Sequence, residues 1–458
     1  MAPQAAVPNR LSAYRAARLP HGWTQERLVL ELELAGKALG IPVASRASLK
    51  VQISRWENGH HPVSENYRAL FRHIFNATDE QLGFTTFCRD ESIEDDLEPV
   101  SFKGTWVVAF HQAASDWEVD MERRDFLRTA AFAAGASTSP ALQWLVSDPE
   151  VIVRAEGAAV GAPHVESIRE MTSTFRRLDN RFGGGHARES VVRFLAREVA
   201  PLVKSGRFEA RTGSSLLSAS AEMLQLAGWM TYDDGNNRLG QHYMTQALRL
   251  ARAAGDEPLG GEILAGLSHQ ASYLGDSATA VDLARAARKT ALAHGLDALL
   301  AEAWVMEAHG HACAGDEAAC TAALSEAETA LDRADRAADP HWIGYFDDAY
   351  LAAKFGHCFK ELCRPAAAQT FATQSLDMDV SYVRGRAFNL ALLATAQAQG
   401  GDVEAACTTG YEVLELIHQV NSSRLRRYVQ QLVGELEPAA SSAIVTTFRS
   451  DATSRLSA

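Results

Sequence analysis

Hydrophobic residues recur at helical spacing along most of the chain. From about residue 165 onward, apolar positions repeat every three or four residues in segments of ordinary helix length, and short turns rich in Gly and Asp separate these segments. The first 85 residues show the same spacing in five shorter segments. No run of about 18 apolar residues occurs, so no membrane span is expected. The pattern predicts an all-α protein.

A 40-residue repeat is superimposed on the helical pattern. Gly235, Gly275 and Gly315 are spaced by 40 residues, and Gly401 fits a fourth copy after a stretch, residues 335–385, that fits poorly. Small residues recur at fixed offsets from these glycines, which indicates places where two helices approach closely. They stand seven residues before the glycine (Gly228, Ser268, Ala308 and Ala394), five after it (Gly240, Ala280, Cys320 and Ala406) and twelve after it (Ala247, Ala287, Ala327 and Val413).

Residues 215–435 resemble tetratricopeptide repeats, whose paired helices keep small residues at these offsets around the turn between them. The copies are 40 residues long, against about 34 in the family, and the usual Trp and Pro positions are mostly unfilled. The resemblance implies an α-solenoid over residues 165–440. Because a helical hairpin cannot bury its apolar face alone, stacked neighbours supply the core and leave a curved inner wall.

The first 85 residues have the layout of a helix-turn-helix domain, with short helices around one polar helix. Asn58-Gly59 predicts a left-handed stop after the polar helix. The predicted helices are residues 9–19, a helix capped by Thr24, one from about Ser48 to Glu57, one capped by Ser64, and a last turn at Thr78–Gln81.

Three segments of this region, "RLPHGWTQERL", "ISRWENG" and "SENYRALFRHIFNATDEQLGF", resemble the phage-repressor class of helix-turn-helix domains, also called the xenobiotic-response-element type. The resemblance covers residues 9–84. It implies that the helix ending in Glu-Asn-Gly enters the major groove of DNA. It also implies that Arg18 and Glu57 form an ion pair that fixes the tilt of this helix. The DNA-contacting residues expected on this basis are Gln25, Ser48, Lys50, Val51, Gln52 and Arg55.

The chemistry of these side chains agrees with that role. Lys and Arg donate to guanine acceptors in the major groove, Gln can pair with adenine, and Val can cover a thymine methyl group. Ile53 and Trp56 are expected to point into the small core instead. Between Gln25 and Lys50 the chain has more residues than compact members of the class, so either the first motif helix is longer or the turn is rebuilt. A helical bundle that binds no DNA remains the alternative.

Charge is distributed unevenly along the chain. The net charge is −13, but residues 1–85 carry ten Lys and Arg against seven Asp and Glu, a net charge of +3, so the remainder carries 34 against 50, or −16. A basic N-terminal domain on an acidic body suits a protein in which only that domain meets phosphates. Because +3 is a small charge, one copy is expected to bind weakly. A homodimer on double-stranded DNA with an inverted-repeat operator is therefore predicted.

A second candidate site lies on the expected inner wall of the repeats. Carboxylates recur thirteen residues before the turn glycines and rings six before, with further polar groups, including Asp233, beside them. Such a wall suits a cationic or peptidic ligand, such as a small-molecule or peptide effector. The alternative is that these glutamates form an ordinary solvated helix face. The inner wall comprises Glu222, Gln225, Trp229, Tyr232, Glu262, His269, Glu302 and His309.

Catalytic and metal-binding motifs are lacking. The sequence contains no nucleophile elbow, no His-Glu zinc motif and no kinase motif set, so no catalytic residue, metal or cofactor is expected. The six cysteines are too sparse for a disulfide framework and indicate a reduced, cytoplasmic protein. The glycine-rich segment Arg181–His186 is a weak phosphate-loop candidate, and its role is left open.

These patterns together predict a DNA-binding transcriptional regulator whose repeat domain dimerises and senses a peptide, a small molecule or a protein partner. The alternative is an interaction scaffold whose N-terminal domain is not primarily a gene regulator. The predicted domains are residues 1–85 (helix-turn-helix), 86–164 (linker and connecting helices), 165–440 (helical repeats) and 441–458 (C-terminal tail).

Overall fold

The computed structural model describes residues 22–39, 43–57, 65–75, 104–122 and 139–457, with positions 18, 63, 77, 82, 100 and 102. The side chains of residues 47, 51, 54, 55, 57, 65, 66, 122 and 457 are outside this description. Strand structure within it is confined to two short parallel strands, β1 (Ala158–Ala159) and β2 (Gly206–Arg207), so the all-α prediction is confirmed. None of the described helices is both long enough and apolar enough to cross a lipid bilayer.

The chain divides into two compact units, an N-terminal unit, Met1–Cys88, and a larger unit with almost all of the remaining chain. The N-terminal unit contains α1 (Gln25–Leu39), α2 (Arg46–Glu57) and α3 (Glu65–Phe75). The larger unit contains α4 (Trp106–Glu122), α5 (Pro140–Val146), α6 (Ala162–Phe182), α7 (Gly184–Phe194), α8 (Ala200–Ser205), α9 (Ala210–Asp233), α10 (Asn237–Ala254), α11 (Glu257–Tyr273), α12 (Ser277–His294), α13 (Asp297–Ala314), α14 (Glu317–Arg333), α15 (Asp348–Glu361), α16 (Pro365–Gln374), α17 (Val383–Gly400), α18 (Val403–Leu416), α19 (Ser423–Glu435) and α20 (Ala443–Ser457).

Successive helices from α9 onward form hairpins with one turn chemistry. The predicted turn glycines all adopt left-handed backbone, which only glycine takes without a steric cost: Gly235, Gly275, Gly315 and Gly401, with φ of 93°, 84°, 77° and 85°. The next residue is Asn or Asp, and side chains at this position cap the following helix. The Oδ1 atoms of Asn236, Asp276 and Asp402 accept from backbone amides at 3.2, 3.1 and 3.0 Å.

Small residues bring the two helices of a hairpin into backbone contact. A Cβ atom added at Gly228 would lie 3.0 Å from the Gly240 carbonyl oxygen, and one added at Gly240 would lie 2.9 Å from that of Gly228. In the next hairpin the Ser268 hydroxyl donates to the Ala280 carbonyl at 2.7 Å. These are the positions seven residues before and five after the turn glycine, so the predicted close approach is confirmed.

The stretch that fits the repeat poorly, residues 335–385, also contains a hairpin, formed by α15 and α16. Its turn residue is Cys363, which has a φ of 57° although it is not glycine. Gly356 stands seven residues before it, and the buried Ala368 and Ser375 stand five and twelve after it. The hairpin therefore keeps the small-residue offsets. The glycine pattern did not reveal this copy because its turn has a cysteine where the other copies have glycine.

An insertion before α15 explains the longer spacing at this hairpin. The segment of residues 334–347 leaves α14, makes a 3-10 turn at His341–Ile343 and carries Trp342, Ile343 and Phe346 into the hydrophobic core. Asp347 then caps α15, its Oδ1 accepting from the Tyr350 amide at 2.8 Å. The insertion thus places side chains from outside the hairpins in the interior of the larger unit.

Segments expected to be peripheral are packed into the larger unit. In the predicted linker, Trp117 of α4 is fully buried, and Asp120 accepts from the Tyr243 hydroxyl of α10 at 2.8 Å. In the predicted C-terminal tail, α20 buries Val445 and Phe448.

The glycine-rich segment between α6 and α7 contacts the loop between α18 and α19. The Gly185 amide donates to the Asn421 carbonyl at 3.0 Å, and the Asn421 amide donates to the Phe182 carbonyl at 2.7 Å. The Gly184 amide donates to Asp233 Oδ2 at 2.9 Å. Beside these bonds Arg384 of α17 pairs with Asp179 of α6 at 3.0 Å. Close backbone packing accounts for the three glycines, and the contact closes the interior of the unit.

Substitution of Gly184 should weaken this closure. A Cβ atom there would lie 2.6 Å from the Met230 carbonyl oxygen, so we expect Gly184→Ala to lower the free energy of unfolding by about 1–3 kcal/mol. Gly266→Ala, in the interior of α11, is the matched control, because the nearest atom to its added Cβ lies at 4.0 Å and alanine favours helix by about 0.5–1 kcal/mol. Urea unfolding followed by circular dichroism measures both, and equal effects would contradict the assignment.

Candidate functional site

The N-terminal unit begins its described helices at Thr24, as predicted. The Thr24 hydroxyl accepts from the Arg27 amide at 3.2 Å, and α1 then continues for 15 residues. The additional residues between Gln25 and Lys50 thus lengthen α1. Ser45 caps α2, since its Oγ lies 3.4 Å from the Ser48 amide, and α2 begins two residues before the predicted start.

One face of α2 is buried and anchors the helix in a small aromatic core. Leu49, Ile53 and Trp56 are at most 5 % exposed, at the spacing of one helix face. The Trp56 ring packs against the rings of Tyr67 and Phe71 at centroid distances of 4.8 and 5.8 Å. The predicted inward orientation of Ile53 and Trp56 is confirmed.

The cations on the other face of α2 are exposed and held by carboxylates of α1. Lys50 Nζ lies 2.6 Å from Glu26 Oε1, and the hydrogen bond and charge of Lys50 lower the pKa of Glu26. One turn earlier, Arg46 makes a bidentate contact with Glu33. Arg46 Nε donates to Glu33 Oε1 at 2.8 Å, and Arg46 Nη2 donates to Glu33 Oε2 at 2.8 Å. Arg46 was not predicted, although its spacing of four residues from Lys50 places it on the same face.

The other predicted DNA-contacting residues are placed in part. Gln25 is the first residue of α1, and Ser48 and Gln52 lie on α2. The side chains of Val51, Arg55 and Glu57 lie outside the described residues, so their roles stay predictions. Arg18 is buried and its Nη1 donates to the Trp23 carbonyl, while the predicted pair with Glu57 falls on an undescribed side chain.

In the larger unit, the predicted inner wall comes together but is buried. Glu222, Glu262 and Glu302 are 4 %, 4 % and 2 % exposed, so the interpretation of these glutamates as a solvated face is wrong. The remaining members are buried as well, apart from the half-buried Trp229. Gln225 Nε2 donates to Glu262 Oε1 at 3.1 Å, which links neighbouring hairpins.

Tyr345, from the inserted segment, bridges two of the carboxyl groups. Its hydroxyl lies 2.9 Å from Glu262 Oε1 and 2.7 Å from Glu302 Oε1. Burial raises the pKa of Glu302 well above its usual range, and the charge of Glu262 and a hydrogen bond with it act in the same direction. The raised pKa favours the protonated form of Glu302, which can donate a hydrogen bond to Glu262.

Glu222 is stabilised in its charged form instead. Arg176 Nη2 and His341 Nε2 each lie 3.2 Å from Glu222 Oε1. Burial alone would raise the pKa of Glu222, but the hydrogen bond from His341 and the charge of Arg176 more than offset it, and the pKa is lowered. The pKa values of two glutamates at equivalent repeat positions therefore shift in opposite directions, because Arg176 and His341, which lie outside the repeats, contact Glu222.

The predicted rings form a continuous row. The Trp229 and His269 centroids are 5.3 Å apart, those of His269 and His309 6.3 Å, and those of His309 and His357 6.1 Å. Burial lowers the pKa of His309 to about 3 and that of His269 well below its usual range, so both imidazoles are neutral. His357 was not predicted, although it stands six residues before Cys363, because the turn of its hairpin has no glycine.

Cations from later helices face this row. Lys354 Nζ lies 2.8 Å from His269 Nδ1, and burial, assisted by the charge of Arg424, lowers the pKa of Lys354 to about 7. Arg424 lies over four aromatic rings, with the nearest centroid, that of Tyr232, at 4.5 Å. The other three rings are those of Trp229, Tyr273 and Phe388.

Asp233 lies between two arginines at the closure of the unit. Its Oδ1 is 3.6 Å from Arg384 and 3.7 Å from Arg424. Burial raises the pKa of the neighbouring Asp179 to about 6. The inner wall is therefore an enclosed network in which the chain supplies its own counter-charges. Binding of a cationic ligand to it stays a prediction.

No cluster of three or more metal-ligating side chains occurs in the part of the chain that the structure describes. Comparison with known proteins adds no further assignment, since no family model matches the chain and no curated protein is significantly similar to it.

The raised pKa of Glu302 predicts how stability depends on pH. Because the folded chain binds the Glu302 proton more tightly than the unfolded chain, stability from the neutral carboxyl is complete below about pH 4.5 and is lost as the pH rises toward the folded pKa. Glu302→Gln keeps an uncharged donor at this position, so its stability does not depend on this titration. In that window the free energy of unfolding of Glu302→Gln minus that of wild type should rise by up to about 1.4 kcal/mol per pH unit. Urea titrations at several pH values measure the difference.

Glu326→Gln, an exposed position on α14, serves as the control and should differ from wild type by the same amount at every pH. A pH-independent difference for Glu302→Gln would contradict the raised pKa of Glu302.

Proposed function

We propose that this chain is a sequence-specific DNA-binding transcriptional regulator. In this proposal residues 1–85 form a helix-turn-helix domain of the phage-repressor class, with α2 as the helix that reads the major groove. The larger unit is a tetratricopeptide-like array that dimerises and senses a ligand. Two copies would read an inverted-repeat operator on double-stranded DNA.

The observation that carries the proposal is the two-sided character of α2. Its buried face, with Leu49 and Trp56, fixes the helix in an aromatic core, and its other face presents Lys50 and Arg46 to solvent. A rigid helix with exposed cations on one face has the shape and the donors that a major groove accepts.

The carboxylates of α1 set a condition on DNA binding. Glu26 and Glu33 hold Lys50 and Arg46 in the free protein, and a phosphate or base must compete for the same donors. Contacts between solvent-exposed charges are weak, so duplex DNA can replace them. The carboxylates would then weaken nonspecific binding to phosphates. They would favour DNA sites at which Lys50 and Arg46 form contacts to bases.

The enclosed larger unit supports a role in sensing. A ligand that binds one arrangement of the hairpins more tightly than another shifts the population between them. In a dimer such a shift changes the separation of the two helix-turn-helix domains, and so their fit to half-sites about one duplex turn apart.

Substitution of Lys50 tests the assigned helix. Bound duplexes are first enriched from a random pool with the wild-type protein, and affinity is then measured by fluorescence anisotropy. Lys50→Ala should weaken binding by about tenfold or more because a base contact is lost. Lys37→Ala, an exposed lysine near the end of α1, is the matched control and should change affinity little.

Glu26→Gln should strengthen binding in the same assay, because it releases Lys50 and removes a negative charge from the interface. Equal affinities for wild type and Lys50→Ala would refute α2 as the reading helix.

Affinity should also fall steeply with salt. Each phosphate that the protein neutralises contributes about −0.9 to the slope of log K against log salt concentration, and two N-terminal domains making several contacts each should give a slope of about −4 or steeper. A salt series on the enriched duplex measures it. A slope near zero would exclude phosphate contacts and favour a protein-binding role for the N-terminal unit.

A further inference from the structure

The short helix α5 is anchored to the repeats through one of its faces. Trp144 is buried, and its ring occupies the space beside Gly260 of α11, where an added Cβ would lie 2.0 Å from a ring atom. The Trp144 Nε1 donates to Thr290 Oγ1 of α12 at 3.1 Å. Just after α5, Arg252 donates to the Ser147 carbonyl, and its guanidinium lies 5.1 Å from the centre of the Trp144 ring. These contacts fix the position of α5 on the larger unit.

The opposite face of α5 is apolar and exposed. Leu142, Leu145 and Val146 are 51 %, 41 % and 70 % exposed. Spacings of three and four residues place them on one side of the helix. No charged residue occurs in the sequence of residues 139–147. Because a helix that is apolar on every side is normally buried, this face needs a cover that the described residues do not supply.

The segment after α5 adds two more exposed aliphatic side chains. Val151 and Val153 are 79 % and 51 % exposed, whereas Ile152 between them is fully buried. This alternation is that of an extended strand with one face outward. Val146 and Val151 are five residues apart in the chain, so at most about 18 Å separates them. The exposed side chains of the helix and of the strand can therefore belong to one interface.

One backbone edge of this strand has no partner among the described residues. The Arg154 amide donates to the Phe208 carbonyl, and the Phe208 amide donates to the Arg154 carbonyl, both at 3.0 Å. Because the backbone groups of a strand point alternately to its two edges, those of Val151 and Val153 point away from Phe208. No described hydrogen bond engages the amides of these two valines. Such an edge is a template for pairing with a second chain.

The size of this surface is close to what a dimer interface requires. The five exposed side chains present about 400 Å² of apolar area, within the range of about 300–600 Å² for the largest patch on a typical monomer. A standard interface buries about 800 Å² per partner, of which about 56–65 % is apolar, so about 450–520 Å² of apolar area is needed. The core of such an interface is also depleted of charged residues, as α5 is.

We propose that two copies of this chain dimerise through one apolar patch, which comprises Leu142, Leu145, Val146, Val151 and Val153. A two-fold axis places the same patch on both partners, so each outward face of α5 is covered by its counterpart. The two strands then pair edge to edge, and each supplies acceptors for the amides of the other. The inference deepens the proposed function, on which it rests, by naming the surface through which the larger unit dimerises.

Analytical ultracentrifugation of the full-length protein tests the proposal without DNA. Wild type should be a dimer at about 100 µM, with a dissociation constant in the micromolar range or below. Val146→Glu should raise that constant by about a hundredfold or more, because two carboxylates would be buried in one apolar contact. Val380→Glu, at an 87 % exposed valine between α16 and α17, is the matched control and should dimerise as wild type does.

Hydrogen exchange followed by mass spectrometry locates the interface. The amides of Val151 and Val153 should exchange about tenfold or more slowly in concentrated wild type than in wild type diluted below its dissociation constant, because the partner strand protects them. Peptides from α20 should exchange equally at both concentrations. The same comparison on Val380→Glu should reproduce the wild-type result.

The proposal is overturned if wild type is monomeric at the highest concentration, or if Val146→Glu dimerises as tightly as wild type or Val380→Glu. A lower Tm of Val146→Glu with an unchanged dissociation constant would show that the same chain covers the face, which also overturns it. If Val146→Glu does not fold, Val151→Lys is used with the same criteria. Because no DNA is present, failure here leaves the helix-turn-helix assignment to its own binding assay, and failure there leaves this result intact.

Discussion

The interior of the larger unit depends on the contact of α6 and the segment after it with α17 and with the loop between α18 and α19. Arg384 reaches Asp179, and the backbone of Gly183–Gly185 meets that of Asn421, so an array of hairpins encloses its inner wall. Once water is excluded, each ionisable group must lose its charge or find a partner. The raised pKa of Glu302, the ion-paired Glu222 and the lowered pKa of Lys354 are three outcomes of that one constraint.

Periodicity made the hairpins and part of the inner wall predictable. The glycine turns and small-residue offsets describe local geometry, so the sequence alone places Glu262 beside Glu302 and His269 beside His309. Lys354, Arg424 and Tyr345 were missed for a physical reason. They reach the wall from helices or an insertion far along the chain, and repeat spacing carries no information about which distant segment fills an enclosed space.

The N-terminal unit shows the same division between local and long-range information. Cap chemistry at Thr24 and the apolar spacing of Ile53 and Trp56 were sufficient to place α1, α2 and the buried face of α2. The pairing of Lys50 with Glu26 was not predictable, because it depends on how a lengthened α1 crosses α2. The sequence shows which charged residues share a helix face, whereas the residues that pair with them depend on how α1 and α2 cross.

The cysteine at the turn of the α15–α16 hairpin has an energetic consequence. A side chain in left-handed backbone carries a steric cost of about 1 kcal/mol that glycine avoids. Cys363 lies two residues after the last residue of α15, the helix that carries Lys354 and His357. This cost lowers the free energy needed to unwind the end of that helix relative to the helices that are followed by a turn glycine. The α15–α16 hairpin, whose turn has a cysteine in place of glycine, thus stores backbone strain close to the buried Lys354.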